Sequence, residues 1–358
     1  MTTPVGSGIS GQYGFNQEDT VGTAKVAGMR FLEADGDGLK QTKKTVQGKG
    51  LHAGGLYLRA NRRAYTTREA TGDVTMDVMT NGFGLIWQHM LGAFGALSTS
   101  VQVGTSDYYL QTHRPGPLTG KSLTIQKGAP TDAAVVEPIT YVGCKITEWE
   151  LSNKVDDLLK LKLSIDSMDM LSADSDEWPQ AVAGPALAVA SYVDSRVFHF
   201  AEGAIYHGGT VAVAGGVASI TSPVALTTVS EFSLKGSNKM KTDRWFLGSG
   251  GRKKEPIEND FREISGSFTA EFEDRTMMNK FGKDTIDPMR LLFTDPEDDG
   301  SGNHAFLEII VPAVPLNSGS PTLDGPDVLK MQYDFEGLDI AGGASPIQFR
   351  YQTTDTAA

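Results

Sequence analysis

The chain of 358 residues contains a single cysteine, Cys144, which excludes an internal disulfide framework and a thiolate metal cluster. It has no apolar run long enough for a membrane span, because the longest weakly polar segment, from residue 181, is broken by Gly184 and Pro185. Residues 1–30 lack a basic region followed by an apolar core, so no secretory signal is predicted. We expect Cys144 to be a small buried residue and the protein to have no membrane anchor.

Positive charge is also scarce relative to negative charge. The 44 acidic and 32 basic residues give a formal net charge of −12. This balance favours solubility and disfavours the wrapping of nucleic acid, which requires basic surfaces.

Long periodic helices are few, whereas glycines and short alternating runs are frequent, with 41 glycines in the chain. These features predict a mainly β architecture of sandwiches or barrels rather than a parallel α/β sheet.

Two stretches far apart in the chain have nearly the same strand pattern, "REATGDVTMDV" at 68–78 and "REISGSFTAEF" at 262–272. Apolar or small residues occupy every second position in both, and the polar residues between them also match. The two stretches are therefore candidates for an internal repeat, and we call them the first marker strands.

A second pair of similar stretches, which we call the second marker strands, strengthens the evidence for a repeat. They are "DLLKLKLSIDSMDM" at 157–170 and "DVLKMQYDFEGLDI" at 327–340. The alternation slips by one residue at the same step in both, with Ser167 in the first copy and Gly337 in the second, which predicts a shared β-bulge. The offsets of the two pairs differ because of an insertion, which we place in or near residues 93–137. A third match, "ITEWEL" at 146–151 with "VSEFSL" at 229–234, indicates either a smaller repeat or convergent edge strands.

Each first marker strand is followed by a helix signal. Thr80 or Asn81 is predicted to cap one helix that ends at Gly92, and Asp274 to cap another that ends at Gly282. We therefore predict two tandem related β-sandwich or barrel units with one flanking α-helix each: residues 1–175 with an N-terminal arm, residues 176–345, and a C-terminal tail at 346–358.

Searches for catalytic or ligand-binding motifs give only weak candidates. "GPLTGKS" at 116–122 has three residues between Gly116 and Gly120 where a phosphate loop needs four. The acidic stretch 295–303 resembles a calcium loop, but Phe306 stands where the bidentate glutamate belongs, so a solvated turn is preferred and calcium binding is left open. The six histidines show no zinc-site spacing. No cofactor, metal or catalytic site is predicted.

Basic loops precede both first marker strands. The first is "RANRRAY", with Arg59, Arg62 and Arg63, and the second is "GGRKKEP", with Arg252, Lys253 and Lys254. One interpretation is a solvated hairpin, and the other is contact with an acidic surface of another copy.

The motifs "GQYGFNQEDTVGT", "FLEADGDGLKQTKKTVQGKGL", "REATGDVTMDVMTNGFGLIWQHMLG" and "YVGCKITEWELSNKVDDLLKLKLSID" resemble the tail tube (major tail) proteins of long, flexible-tailed bacteriophages. "VSEFSLKGSNKM" and "REISGSFTAEFED" are similar to the same family. The resemblance covers most of residues 8–340.

The resemblance implies a structural virion protein whose sheets join around a ring, with rings that stack into a hollow tube for the genome. A duplicated chain then completes a pseudo-sixfold ring with three copies rather than six. Double-stranded DNA would pass non-specifically through an acidic lumen, and tape measure and tail-terminator proteins would be further partners. Assembly would take place in the host bacterial cytoplasm. We expect the basic loops to reach between rings, and residues 1–15 and 341–358 to help join neighbours.

Two other classes compete with this interpretation. Tandem β-sandwiches are compatible with a module that binds carbohydrate on a host surface, although the four tryptophans are scattered along the chain. An enzyme, such as a carboxylate hydrolase, is the third alternative.

Overall fold

The computed structural model describes residues 8–51, 54–131, 135–172, 184–319, 321, 326, 328–340 and 343–358. Strands dominate these residues, and two short α-helices accompany them. The predicted mainly β architecture is confirmed.

The strands up to residue 172 are β1 (Gln12–Gln17), β2 (Arg30–Phe31), β3 (Gly36–Asp37), β4 (Lys40–Gln47), β5 (Arg63–Asp77), β6 (Ser98–Gln102), β7 (Tyr109–His113), β8 (Leu123–Pro130), β9 (Val136–Lys154), β10 (Lys160–Ser167) and β11 (Asp169–Ser172). The later strands are β12 (Gly203–His207), β13 (Thr210–Ala214), β14 (Val217–Thr221), β15 (Ala225–Leu226), β16 (Val229–Ser237), β17 (Met240–Lys241), β18 (Ile257–Glu258), β19 (Glu263–Glu271), β20 (Asp287–Asp298), β21 (His304–Val314), β22 (Lys330–Gly337) and β23 (Gln348–Thr353). The helices are α1 (Gly84–Leu91) and α2 (Thr276–Gly282).

One sheet runs through both predicted units. Its order is β4-β5-β10-β9-β16-β19-β22, and we call it the shared sheet. The first part of the long strand β9 lies instead in the order β2-β1-β8-β9-β11. A separate sheet has the order β15-β12-β20-β21-β23-β7-β6.

The two pairs of marker strands pair with each other in the same register. Thr71 lies opposite Asp166 between β5 and β10, and Ser265 lies opposite Glu336 between β19 and β22. All eight pairs of the first ladder have their counterparts in the second, although the offset is 194 residues for one strand and 170 for the other. The order β2-β1-β8-β9-β11 also repeats as β15-β12-β20-β21-β23. This correspondence supports the proposed duplication, with the hairpin β6–β7 as extra structure inside the range where an insertion was expected.

The similar segments "ITEWEL" and "VSEFSL" are neighbours in the shared sheet. They belong to β9 and β16, which pair antiparallel with Leu151 opposite Leu234 and Trp149 opposite Gly236. These strands therefore join the two units.

The predicted bulge at Ser167 and Gly337 takes another form. Strands β10 and β22 end at these two residues, so the change of phase falls where the chain leaves the shared sheet. The irregularity in the register of β10 lies earlier, between Ser164 and Ile165 where they face β9.

Helix α1 ends as predicted, because Gly92 adopts a left-handed conformation with φ 74°. Its predicted cap is wrong: the helix begins after Phe83, and the Asn81 side chain instead accepts hydrogen bonds from Thr353 and Thr354.

For α2 the predicted end is confirmed, whereas the predicted cap is wrong, because the N-cap position is Arg275, which makes no side-chain cap hydrogen bond. The helix ends at Gly282, and Asp274 Oδ1 accepts a hydrogen bond of 2.6 Å from the Thr276 amide.

One hydrophobic core extends through both units. Trp87 of α1 packs against Phe349 of β23 with ring centroids 5.1 Å apart, and Cys144 is fully buried as predicted. Burial raises the pKa of the Cys144 thiol well above its usual range.

The segment 346–358, which was expected to be a C-terminal tail, contains a strand of the fold. Strand β23 pairs with β21 on one side and with β7 on the other. Beyond it, Asp355 accepts a hydrogen bond of 2.7 Å from the Gly82 amide and pairs with Arg30 at 3.2 Å. The end of this sheet therefore lies beyond the predicted boundary at 345.

Candidate assembly surface

The two basic loops occupy equivalent places in the shared sheet. The first loop, residues 48–62, joins β4 to β5, and the second loop, residues 238–262, joins β16 to β19. The strands at their bases also correspond, since Lys40 lies opposite Thr71 and Lys235 lies opposite Ser265.

The first loop is exposed in the described residues. Arg59, Arg62 and Arg63 all have exposed side chains, as the sequence predicted for a projecting loop. Leu56 and Tyr57, between them and the loop tip, are also almost fully exposed. Apolar side chains exposed at this level, beside basic residues, are typical of a surface that contacts a protein.

The second loop, by contrast, lies against the first unit of its own chain. The Lys253 side chain is buried, its ammonium is paired with the Asp166 carboxylate, and it lies 3.8 Å from a Glu69 carboxylate oxygen. The ammonium also lies 5.5 Å from the ring centroid of Trp245, a distance typical of a cation–π contact.

Arg252 has a similar arrangement. Its Nε lies 3.3 Å from Asp169 Oδ2, and it donates a hydrogen bond of 3.0 Å to the carbonyl of Gly22. Arg68 binds the same Asp169 carboxylate at 2.7 Å. The structure therefore differs from the sequence prediction at Arg252 and Lys253, which contact their own chain, whereas Lys254 stays exposed.

Burial governs the charge of Asp166. It raises the pKa of Asp166 from 3.8 to about 6, and the adjacent Lys253 opposes this shift. Without Lys253, the desolvated carboxylate would be strongly disfavoured. The sequence signal for this site was the pair of acids next to Ile165 and Met168 in "SIDSMD" at 164–169, which motif searches do not detect.

The second loop is also fixed by its own acids. Glu255 accepts hydrogen bonds from Lys145 Nζ at 2.5 Å and from the Gly120 amide at 2.6 Å, and Glu258 accepts one from the Leu118 amide at 3.2 Å. These two amides belong to the segment 116–122, so they are already bound to carboxylates of the chain itself.

The face of the shared sheet that points away from the core is polar across both units. It carries more carboxylates than ammonium groups. The acidic residues are Glu69, Asp73, Asp77, Glu148, Glu150, Glu231, Glu263, Glu271, Asp334 and Glu336.

Several lysines on this face are neutralised by those acids. Lys162 lies 2.8 Å from Asp73, and Lys235 lies 3.2 Å from Glu150. The side-chain hydrogen bond to Asp73 raises the pKa of Lys162. The face therefore presents paired charges and an excess of carboxylates to solvent.

Other candidate ligand sites are occupied by internal contacts. In the acidic stretch 295–303, Asp295 binds Arg196, and Asp299 Oδ1 accepts hydrogen bonds from the amides of Ser301 and Asn303. Within the described ranges, no cluster of three or more histidine, cysteine or acidic side chains is arranged to hold a metal ion. Of the tryptophans considered for a glycan platform, Trp87 and Trp149 are buried, and Trp178 lies outside the described residues.

Neither described helix has the length and apolar character needed to cross a membrane. In comparisons with known proteins, a family model described as phage tail tube protein matches residues 8–337. No curated protein matches the chain significantly.

Proposed function

Because the chain belongs to the phage tail tube protein family, we propose that it self-assembles into stacked rings that form the hollow tail tube of a long, flexible-tailed phage. The tube is the conduit for genome ejection, so the role is structural rather than enzymatic. The observation that carries the proposal is the continuous polar face of the shared sheet, which is acidic in excess and extends through both units.

The part of this face that no loop covers lines the lumen in our proposal. Duplex DNA must move through a tail without adhering, and free basic side chains would bind its phosphates and release counterions. Lys162 and Lys235 are held by carboxylates on the same face, so they are poor partners for phosphate. The face therefore suits the non-specific passage of DNA.

We propose that three copies complete one ring. The matching registers of β5–β10 and β19–β22 support two equivalent tube units in each chain, and three such chains supply six units. A head-to-tail contact between copies is heterologous, and it gives a closed ring only when the rotation at each contact divides the circle.

Contacts beyond one ring use the exposed basic residues. Arg62, Arg63 and Lys254 have exposed side chains, and in this proposal they meet an acidic surface of another copy. Further partners in this proposal are a tape measure protein inside the tube and a tail-terminator protein at its end. The protein acts in the virion tail after assembly in the host bacterial cytoplasm.

Negative-stain electron microscopy of the purified protein over a concentration series tests the proposal. We expect rings at low concentration and hollow tubes at high concentration. Monomers at every concentration, together with specific binding on a glycan array, would contradict it and favour a carbohydrate-binding module.

A further inference from the structure

The contact between the second loop and the first unit shows how one tube unit receives the loop of the next. The receiving surface consists of three acids, Glu69, Asp166 and Asp169, which face Lys253 and Arg252. We call these three acids the filled triad.

The same three positions are acidic in the second unit. Asp166 lies opposite Thr71 as Glu336 lies opposite Ser265, so Glu336 is the counterpart of Asp166. Three residues later in each copy stand Asp169 and Asp339. The third counterparts are Glu69 and Glu263, each two residues before Thr71 or Ser265. We call Glu263, Glu336 and Asp339 the open triad.

The open triad differs from the filled triad in exposure. Asp166 and Asp169 are buried beneath the second loop, whereas Glu336 and Asp339 are exposed. Among the described residues, neither Glu336 nor Asp339 has an ion-pair partner, and Glu263 is paired with Lys239 at 2.6 Å. The open triad therefore has acids at the same positions as the filled triad, but no basic loop of the same chain covers them in the described structure.

The chain offers one segment equivalent to the second loop, and it is the exposed first loop. Arg59 precedes Arg68 by nine residues, as Lys253 precedes Arg262 by nine residues. The first loop cannot reach the open triad of its own chain. It leaves the shared sheet from β4 at one edge, whereas β22, which carries Glu336, lies at the other edge.

The sheet edges are compatible with a second copy in this place. Strand β16 pairs with β9 of the same chain. Its counterpart in the first unit is β4, and no strand in the described part of the chain pairs with the outer side of β4. Next to β22, Leu316 bridges Phe335 as Ile146 of β9 pairs with Ile165. A second copy whose β4 lies beside Leu316 would repeat the internal junction.

We propose that the first loop of one copy docks on the open triad of the next copy, with Arg59 in the place that Lys253 holds within the chain. This inference rests on the proposed function, because it specifies the contact that closes the ring. The partner is a second copy of this chain, recognised by complementary charge: an exposed basic loop on one side and exposed carboxylates on the other. The internal contact and the contact between copies are then two versions of one interface.

Charge reversal tests the inference. We expect Glu336→Lys with Asp339→Lys to abolish rings and tubes, and we expect Arg59→Glu, added to these two substitutions, to restore at least part of the assembly. The matched control is Glu273→Lys, which reverses an exposed acid between β19 and α2, away from the open triad and outside the polar face, and should assemble normally. Circular dichroism checks that each variant is folded.

A cross-link gives a direct readout. Arg59→Cys and Glu336→Cys in one chain, treated with a bifunctional maleimide, should give a ladder of covalent species on a denaturing gel that ends at three chains. Each single variant should give no ladder, since the native Cys144 is buried.

The outcomes separate the two proposals. If the wild-type chain assembles and the Glu336→Lys, Asp339→Lys variant assembles equally well without cross-linking in the double cysteine chain, the docking contact is refuted while the tube role stands. If the wild-type chain forms no rings under any condition, the proposed function fails and the docking contact fails with it.

Discussion

Lys253 and Asp166 form a buried ion pair that connects the second loop of the chain to the sheet of its first unit. Lys253 comes from the connection between β16 and β19, and Asp166 from β10, near the end of that strand. The pair therefore joins two regions that the sequence separates by 87 residues.

The removal of Lys253 should destabilise the fold in a pH-dependent way. Lys253→Met leaves a buried carboxylate without its partner, which costs about 3–5 kcal/mol when that carboxylate is charged. The loss in the free energy of unfolding should be larger at pH 8 than at pH 5, because protonation of Asp166 relieves the penalty. Chemical denaturation at the two pH values measures this difference.

The sign follows from the pKa of Asp166, which burial raises from 3.8 to about 6. Between these values the folded state binds more protons than the unfolded state, so stability falls as the pH rises through the window. Lys254→Met is the matched control, since its exposed side chain should leave stability within about 0.5 kcal/mol of wild type. An equal loss for Lys253→Met at both pH values would refute this role of the ion pair.

A second prediction concerns the close packing of Trp149 on Gly236 where β9 meets β16. A Cβ atom at Gly236 would lie 2.2 Å from the Trp149 ring, so a side chain fits there only if the ring or the backbone shifts. We expect Gly236→Ala to lower the free energy of unfolding by about 1–3 kcal/mol. Gly282→Ala, where a Cβ atom would meet open space, should show little change. Thermal unfolding that gives the same midpoint for both variants would contradict the packing argument.

Buried histidines should make the fold sensitive to mild acid. Burial lowers the pKa of His89 and His113 from 6.5 to about 3, and that of His207 to about 4. Below pH 6.5 the unfolded state therefore binds more protons than the folded state, and stability falls as the pH drops through this window. We expect the slope of unfolding free energy against pH between 6.5 and 4.5 to decrease in His89→Leu, and an unchanged slope would rule out the contribution of His89.

The basic residues where the first loop enters β5 should be needed for tube growth. Arg62→Glu with Arg63→Glu places acids where the proposal requires positive charge, so we expect a folded protein that no longer forms tubes in electron micrographs. Lys283→Glu reverses an exposed charge beyond α2 and serves as the control. Normal tubes from the Arg62, Arg63 variant would remove this residue pair from the proposed contact.

The sequence predicted those features that depend on local periodicity. The marker strands, the Gly92 stop of α1 and the end of α2 at Gly282 are determined by residues within a few positions of one another. The predicted cap of α1 is wrong because the Asn81 side chain accepts hydrogen bonds from Thr353 and Thr354, which are distant in sequence.

The placement of the basic loops could be predicted only in part, for the same physical reason. "RANRRAY" and "GGRKKEP" have the same local character, but one loop meets the acids of the preceding unit and the other does not. Lys253 is buried because Asp166 compensates its charge, and this pairing depends on the order of strands in the shared sheet. The match between "SIDSMD" and "DFEGLD", at 164–169 and 334–339, is the sequence signal that identifies two of the three acids in each triad once the registers are known.

The most direct test of the account is the symmetry of the assembled ring, measured from end-on class averages in cryo-electron microscopy. We predict three-fold symmetry, with three chains and six equivalent lobes around a pore that admits duplex DNA. Rings of six chains would contradict the proposal that each chain supplies two tube units, and a chain that stays monomeric would contradict the tube itself.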